Sequence, residues 1–361
     1  MTQHLADIET IVWIQTSFLG DIVLSTAAFN ALKAEAPHIR QVLITTPIGK
    51  AALKDHPSID EVVVFDKGGK SFWQASRAVK QSCSSLDKST TVILQAHRSF
   101  RSSLLSLRLG FQRITYGETS LSWNAQTVSR VASLHESARI GLLLEPLGVS
   151  REAICKARMS LPKSMNEHLS KRLLPLNRPL IGVAPGSVWG TKRWPAEKYG
   201  DLVKKALDAG QSVVLLGSGG EREQADIVSN MVGDHDQFLN LVGKTNLDDL
   251  RYLIPSLDVL VCNDSSPIHY GSAFGVPTLA IFGATVPAMG FGPRAMGSRV
   301  VDIPIGEVPC RPCSDHGPKV CPLEHFQCMR KIDTDAVFVT LQQMIDENSP
   351  QSLLAANRRN E

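Results

Sequence analysis

The sequence has no run of ~18 uninterrupted apolar residues, which argues against a membrane-spanning helix. Its first ten residues, M-T-Q-H-L-A-D-I-E-T, are polar and acidic, with neither a basic n-region nor an apolar h-region. They do not read as a secretory leader, and the expected location is the cytoplasm. The net charge is only +3 and forms no basic stripe, so nucleic acid is not an expected partner. A locally basic face meeting an anionic substrate or a membrane surface stays compatible with that charge. No repeat of 20–50 residues is present. The G-x-G-x-x-G fingerprint is missing after the first strand candidate, which disfavours a dinucleotide-dependent oxidoreductase.

What is present is an alternation of short apolar runs with helical patterns. Strand candidates are Thr10–Gln15, Gln41–Thr45, Glu61–Phe65, Thr91–Gln95 and Gln112–Tyr116, with helical spacing between them. The pattern resumes with strands at Leu180–Ala184, Ser212–Leu216, Phe238–Leu241, Leu257–Cys262 and Thr278–Phe282. Such alternation predicts βαβ units and mostly parallel sheets. A length of 361 residues suits about two domains at ~150 residues each. The expected division is an N-terminal domain over 1–165, a Pro-containing linker over 166–179 and a second domain over 180–332. A C-terminal helix over 333–347 and a frayed tail over 348–361 follow. Two doubly wound domains in tandem would offer a cleft suited to a two-substrate transfer.

Candidate chemistry sits where strands end, the side on which open α/β sheets bind ligands. After Leu180–Ala184 the loop P-G-S-V-W-G-T-K-R-W-P carries Ser187, Thr191, Lys192 and Arg193, a set suited to phosphate. After Leu257–Cys262 comes N-D-S-S-P-I-H. Asp264, Ser265, Ser266 and His269 lie there at a helix start, where backbone N–H groups favour an anion. The loop G-S-G-G-E places Glu221 where a carboxylate can accept from ribose hydroxyls. After the first strand, F-L-G-D puts Asp21 at a helix start. It reads either as a cap or as a general base. Of seven cysteines, Cys83, Cys155 and Cys262 are scattered. Cys310, Cys313, Cys321 and Cys328 cluster with a C-x-x-C start, which reads either as a structural zinc site or as a metal-free loop. No D-x-D pair lies near the Lys192 loop to hold a divalent ion there.

Together these stretches resemble glycosyltransferase family nine, the ADP-heptose:lipopolysaccharide heptosyltransferases, from about Ile11 to Ile332. The resemblance rests on S-F-L-G-D and Q-A-H-R-S-F-R in the first half. In the second half it rests on P-G-S-x4-K-R-W-P, L-L-G-S-G-G-E, N-L-V-G-K-T, N-D-S-S-P-I-H, F-G-A-T and C-P-L-E-H-F-Q-C-M. It implies a GT-B fold of two Rossmann-like domains, the second binding the sugar nucleotide and the first a lipid A core acceptor. It also implies inverting transfer of heptose from ADP-heptose with no cofactor required for catalysis, and peripheral contact with the inner membrane. Carried over by position, Asp21 would be the general base and Lys192 would contact the diphosphate. Ser187, Thr191, Asp264, Ser265, Ser266 and His269 would hold the donor, with Glu221 and Thr245 by the nucleoside. Arg98 and Arg101 would face the anionic acceptor. The residues also suit another GT-B transferase, a sugar-nucleotide epimerase, or a non-catalytic sugar-nucleotide or metal-binding module.

Overall fold

Runs such as Thr10–Ile14 and Leu180–Ala184 are buried at every position, as expected of central strands covered by helices on both faces. The computed structural model describes residues 5–66, 71–154, 157–164 and 166–348. Cys155 and the expected tail beyond Asn348 lie outside them. The chain divides into two compact units, Met1–Ser160 and Leu161–Glu361. The stretch 166–179 falls in the second unit and contains a helix, Glu167–Leu173, whose N-cap Asn166 donates to Asp249 at 2.7 Å.

The first unit has six parallel strands: β1 (Thr10–Ile14), β2 (Arg40–Thr45), β3 (Glu61–Val64), β4 (Thr91–Gln95), β5 (Gln112–Tyr116) and β6 (Gln126–Val128). Their order is β3-β2-β1-β4-β5-β6. The second unit has β7 (Leu180–Ala184), β8 (Ser212–Leu215), β9 (Phe238–Asn240), β10 (Val259–Asn263), β11 (Thr278–Phe282) and β12 (Arg299–Asp302), ordered β12-β11-β10-β7-β8-β9. The first order, counted within its unit, is 3-2-1-4-5-6, the doubly wound Rossmann arrangement. The second, counted likewise, is 6-5-4-1-2-3, which is the same arrangement written from its other edge. The strand sequence changes direction between β1 and β4 in one sheet and between β7 and β10 in the other. These are the two switch points.

The edge strands β6 and β12 escape a reading by apolar runs. Both are short, and neither is buried throughout. After β6 the chain forms a short helix, Glu136–Gly141, followed by a 3-10 stretch, Leu142–Leu147. Pro146 lies in that stretch, and proline cannot donate an α-helical hydrogen bond. Helix Leu19–Glu35 is apolar on most of its surface, with eleven buried residues. Helix Ala196–Asp208 is amphipathic, burying Tyr199, Leu202, Val203 and Ala206 against the second sheet. Helix Thr334–Glu347 joins that core through Val337, Leu341 and Met344. Among the described residues no helix is long and apolar enough to cross a membrane.

Candidate active-site residues

In the second unit the loop after β7 is fixed by one buried side chain on β10. The Asn263 side-chain Oδ1 accepts from the Trp194 backbone N–H at 2.9 Å and the Tyr199 hydroxyl at 3.0 Å. Its amide donates to the Pro185 and Gly186 carbonyls at 2.8 and 3.2 Å. Asn263 thus ties the loop's entry, its exit and the following helix to the neighbouring strand across the switch point. Within the loop, residues Gly190–Lys192 form a 3-10 turn. Lys192 Nζ lies 2.6 Å from Asp264 Oδ2, both side chains being mostly buried. The Thr285 hydroxyl donates to the same oxygen at 2.6 Å. An ammonium is therefore held at the carboxyl end of β7 and β10, where a phosphate is expected.

The other expected donor residues lie in the loops and helix starts that follow β7, β8, β9 and β10. Ser187 is buried and its hydroxyl accepts from the Trp189 N–H at 3.3 Å. Ser265 precedes helix Ser266–Phe274 as its N-cap without a side-chain capping bond, and its hydroxyl donates to the Asn263 carbonyl at 3.2 Å. Ser266 is the helix's first residue, and His269 is buried beside Phe291. The Glu221 carboxylate accepts from the Ser218 N–H at 2.6 Å in a capping box. It also lies against Gly186, where a Cβ would collide with its oxygen. Glu221 consequently bridges the loops after β7 and β8. Thr245 is half-buried on the turn after β9. Thr191 is buried and its hydroxyl donates to the Pro318 carbonyl.

In the first unit the β1–β4 switch point carries a polar network that motif reading passed over. His97 Nδ1 lies 2.8 Å from the Thr16 hydroxyl and 2.9 Å from that of Ser102, joining the loop after β1 to that after β4. Asp21 sits in the first turn of helix Leu19–Glu35, whose N-cap is Phe18 and has no side-chain capping bond. Asp21 is therefore not the cap. It keeps a partial opening to solvent, yet its carboxyl is raised from 3.8 to about 6. Burial is the largest cause, and the Glu136 carboxylate adds to it. A hydrogen bond from Ser17 and the Arg130 and Arg98 guanidiniums oppose it. Glu136 is itself paired with Arg130 and, at 3.1 Å, with Arg139. A carboxylate tuned to about 6 suits a general base near neutral pH.

Arg98 is exposed, 3.7 Å from the exposed Glu118, and Arg101 is exposed on helix Phe100–Leu109. The same strand-end edge exposes Ile48, Phe18 and Phe100 in the connections after β2, β1 and β4. Those three strands are adjacent in the sheet. Apolar faces and arginines are thus interleaved along one edge.

The structure adds no support to the zinc reading of the cysteine cluster. Among the described residues no group of three or more His, Cys, Asp or Glu is placed to hold a metal ion. Cys310, Cys313, Cys321 and Cys328 are free thiols. Cys328 is buried in the hydrophobic core with Met329 and Ile332, and burial pushes its thiol up to about 11. Burial raises Cys313 as well. Cys310 packs against the same core from its edge. The four thiols are nonetheless electrostatic neighbours: Cys310 and Cys321 add to the rise at Cys313, and Cys313, Cys310 and Cys321 to that at Cys328.

The sequence model of glycosyltransferase family 9 (heptosyltransferase) matches residues 84–320. Lipopolysaccharide heptosyltransferase 2 of Escherichia coli K12 is 25% identical over 299 residues, covering 77% of this chain and 83% of that protein. Lipooligosaccharide heptosyltransferase 2 of Campylobacter jejuni is 22% identical over 335 residues, covering 91% and 96%. Among solved structures, a family 9 glycosyl transferase from Veillonella parvula superposes with a TM-score of 0.81 at 21% identity, covering 94% of this chain and 97% of that one. The E. coli ADP-heptose LPS heptosyltransferase II does so at 0.74 and 22%, covering 94% and 99%. These structures share the fold, a pair of Rossmann-like sheets of the GT-B kind. With two doubly wound sheets, a buried lysine at the switch point of one and a tuned carboxylate beside that of the other, the protein belongs to glycosyltransferase family 9, the heptosyltransferases, and is a glycosyltransferase.

Proposed function

We propose that this enzyme transfers a heptose, with inversion, from ADP-heptose to a lipid A core acceptor of lipopolysaccharide at the cytoplasmic face of the inner membrane. The observation that carries the reading is the buried Lys192–Asp264 pair at the β7–β10 switch point, beside the N-terminus of helix Ser266–Phe274. Asp21 accepts the proton of an acceptor hydroxyl. That oxygen attacks the anomeric carbon, the bond from this carbon to the phosphate oxygen breaks, and ADP leaves with the bonding electron pair. Negative charge grows on the diphosphate as the bond breaks. Lys192, the Ser265 and Ser266 region and the helix N-terminus are the groups that meet it. Ser187 and His269 complete the donor side, with Glu221 and Thr245 near the nucleoside. The transfer uses no cofactor. Arg98 and Arg101 meet the anionic acceptor, and the exposed Phe18 and Phe100 offer faces for its sugars or lipid. Peripheral contact with the membrane follows from such an acceptor.

ADP release from ADP-heptose is the direct test. It should require a lipid A core acceptor and should drop by ~10²–10⁴-fold in Asp21→Asn, the usual weight of general-base catalysis. Acceptor-independent release, or full turnover in the variant, contradicts the assignment.

A further inference from the structure

The cysteine-containing segment that follows β12 touches both loops that set the Lys192–Asp264 pair. Arg311 anchors it. Its guanidinium is fully buried and donates to the Gly283 and Ile303 carbonyls, and to the Thr285 carbonyl at 3.0 Å. It also pairs with Asp302 at 3.1 Å. Two residues on, the Cys313 N–H donates to the Ala284 carbonyl at 2.8 Å. The loop after β11, Gly283–Thr285, therefore has all three of its carbonyls held by Arg311 and Cys313. Thr285 is the residue that donates to Asp264 Oδ2, the oxygen that also holds Lys192.

The same segment then reaches the turn that carries Lys192. The Pro318 carbonyl accepts from the Thr191 hydroxyl and, at 3.4 Å, from its N–H. Gly317 has φ +71, and a Cβ there would lie 3.0 Å from the Thr191 hydroxyl and 3.4 Å from Lys192 Cγ. A Cβ on Gly190 would collide with the Lys319 carbonyl. His316 stacks on Trp189, the ring centroids 6.1 Å apart. One short segment thus fixes the backbone beneath the ammonium and the backbone of its counter-ion's other donor.

We propose that Arg311 is a positioning residue for Lys192, acting through Thr285 and Asp264, and that the segment from Arg311 to Lys319 is the brace that aims the ammonium. This rests on the reading that Lys192 meets the leaving diphosphate. A buried guanidinium holding three carbonyls cannot touch a ligand itself. Its contribution is geometric: a salt-bridged lysine held at one point stabilises developing charge without reorganising. Displacement of a catalytic group by about 1 Å is enough to cost up to ~10²-fold in rate.

The test is a double-mutant cycle on the full chain with ADP-heptose and a lipid A core acceptor. Thr285→Val removes only the hydroxyl to Asp264, and Arg311→Lys keeps the charge but not the fork. Each should lower kcat by about tenfold, with KM for acceptor unchanged and the calorimetric affinity for ADP changed less than kcat. In a Lys192→Ala background neither should lower kcat further. Should Arg311→Lys fail to fold, Thr285→Val alone decides. Full kcat in Thr285→Val, or a loss that persists undiminished beside Lys192→Ala, overturns the positioning role. If instead Lys192→Ala itself turns over normally, the assignment of Lys192 fails, and the positioning role falls with it.

Discussion

Asp21 shows how a single residue can trade stability for chemistry. Its carboxyl is raised from 3.8 to about 6, chiefly because folding takes it out of water and secondly because Glu136 is near. The folded state then binds the proton more tightly than the unfolded state. By linkage the group's favourable contribution is present below pH ~4 and is lost as pH rises through about 6. Asp21→Asn should therefore raise the melting temperature at pH 7 and leave it nearly unchanged at pH 4, where the wild-type side chain is already neutral. Thermal scans at the two pH values check this, and an equal shift at both would mean that charge is not the cause. The turnover of the wild type should fall as pH drops through about 6, as the base becomes protonated. In the sequence, Asp21 at a helix start reads as a cap before it reads as a base. What separates them is Phe18 as the N-cap and the Glu136 carboxylate, far along the chain but close to the carboxyl. Thr285 is similarly visible within F-G-A-T, yet only the fold brings it to Asp264.

At the level of elements, the loop after β7 owes its shape to Asn263. Hydrogen bonds from one buried amide connect β10 with the Pro185–Gly186 turn, the Trp194 backbone and Tyr199. Asn263→Ala leaves two donors and two acceptors buried without that partner. Buried groups left so cost about 1–3 kcal/mol each where water cannot replace the partner. A loss of ~3 kcal/mol in denaturant-derived stability is expected, accompanied by weaker ADP binding because the Lys192 turn is no longer held. Unchanged stability in urea titrations would show that the amide is dispensable to the loop. The central strands were legible because burial on both faces demands continuous apolar runs, as in Leu180–Ala184. β6 and β12 were not, because Gln126–Val128 holds one apolar residue and Arg299–Asp302 only two, too few to stand out as an apolar run. The cysteine spacing leaves a zinc site and a metal-free loop both open, since C-x-x-C records only proximity along the chain. In three dimensions Cys328 belongs to the core, and Arg311, which no motif marked, is the residue that fixes the segment.

Across the whole molecule the same strand order occurs twice, and each switch point carries different chemistry. The second has a buried ammonium and a helix N-terminus, features that suit a diphosphate. The first has a tuned carboxylate and an edge of exposed arginines and apolar faces, features that suit a hydroxyl on a large anionic acceptor. A net charge of +3 supplies little general attraction, so the recognition of such an acceptor has to be local. Reversing Arg98 and Arg101 together to Glu should then raise the acceptor KM by roughly tenfold at low salt, on the order of 1.4 kcal/mol. The increase should shrink as added salt screens exposed charges over a shorter Debye length. The affinity for ADP should stay at its wild-type value, because these arginines belong to the sheet that does not carry Lys192. Kinetics with varied acceptor at two ionic strengths, beside calorimetric titration of ADP, separate the two sites. An equal loss of ADP affinity, or an acceptor KM that does not move, would refute this division of labour between the two sheets.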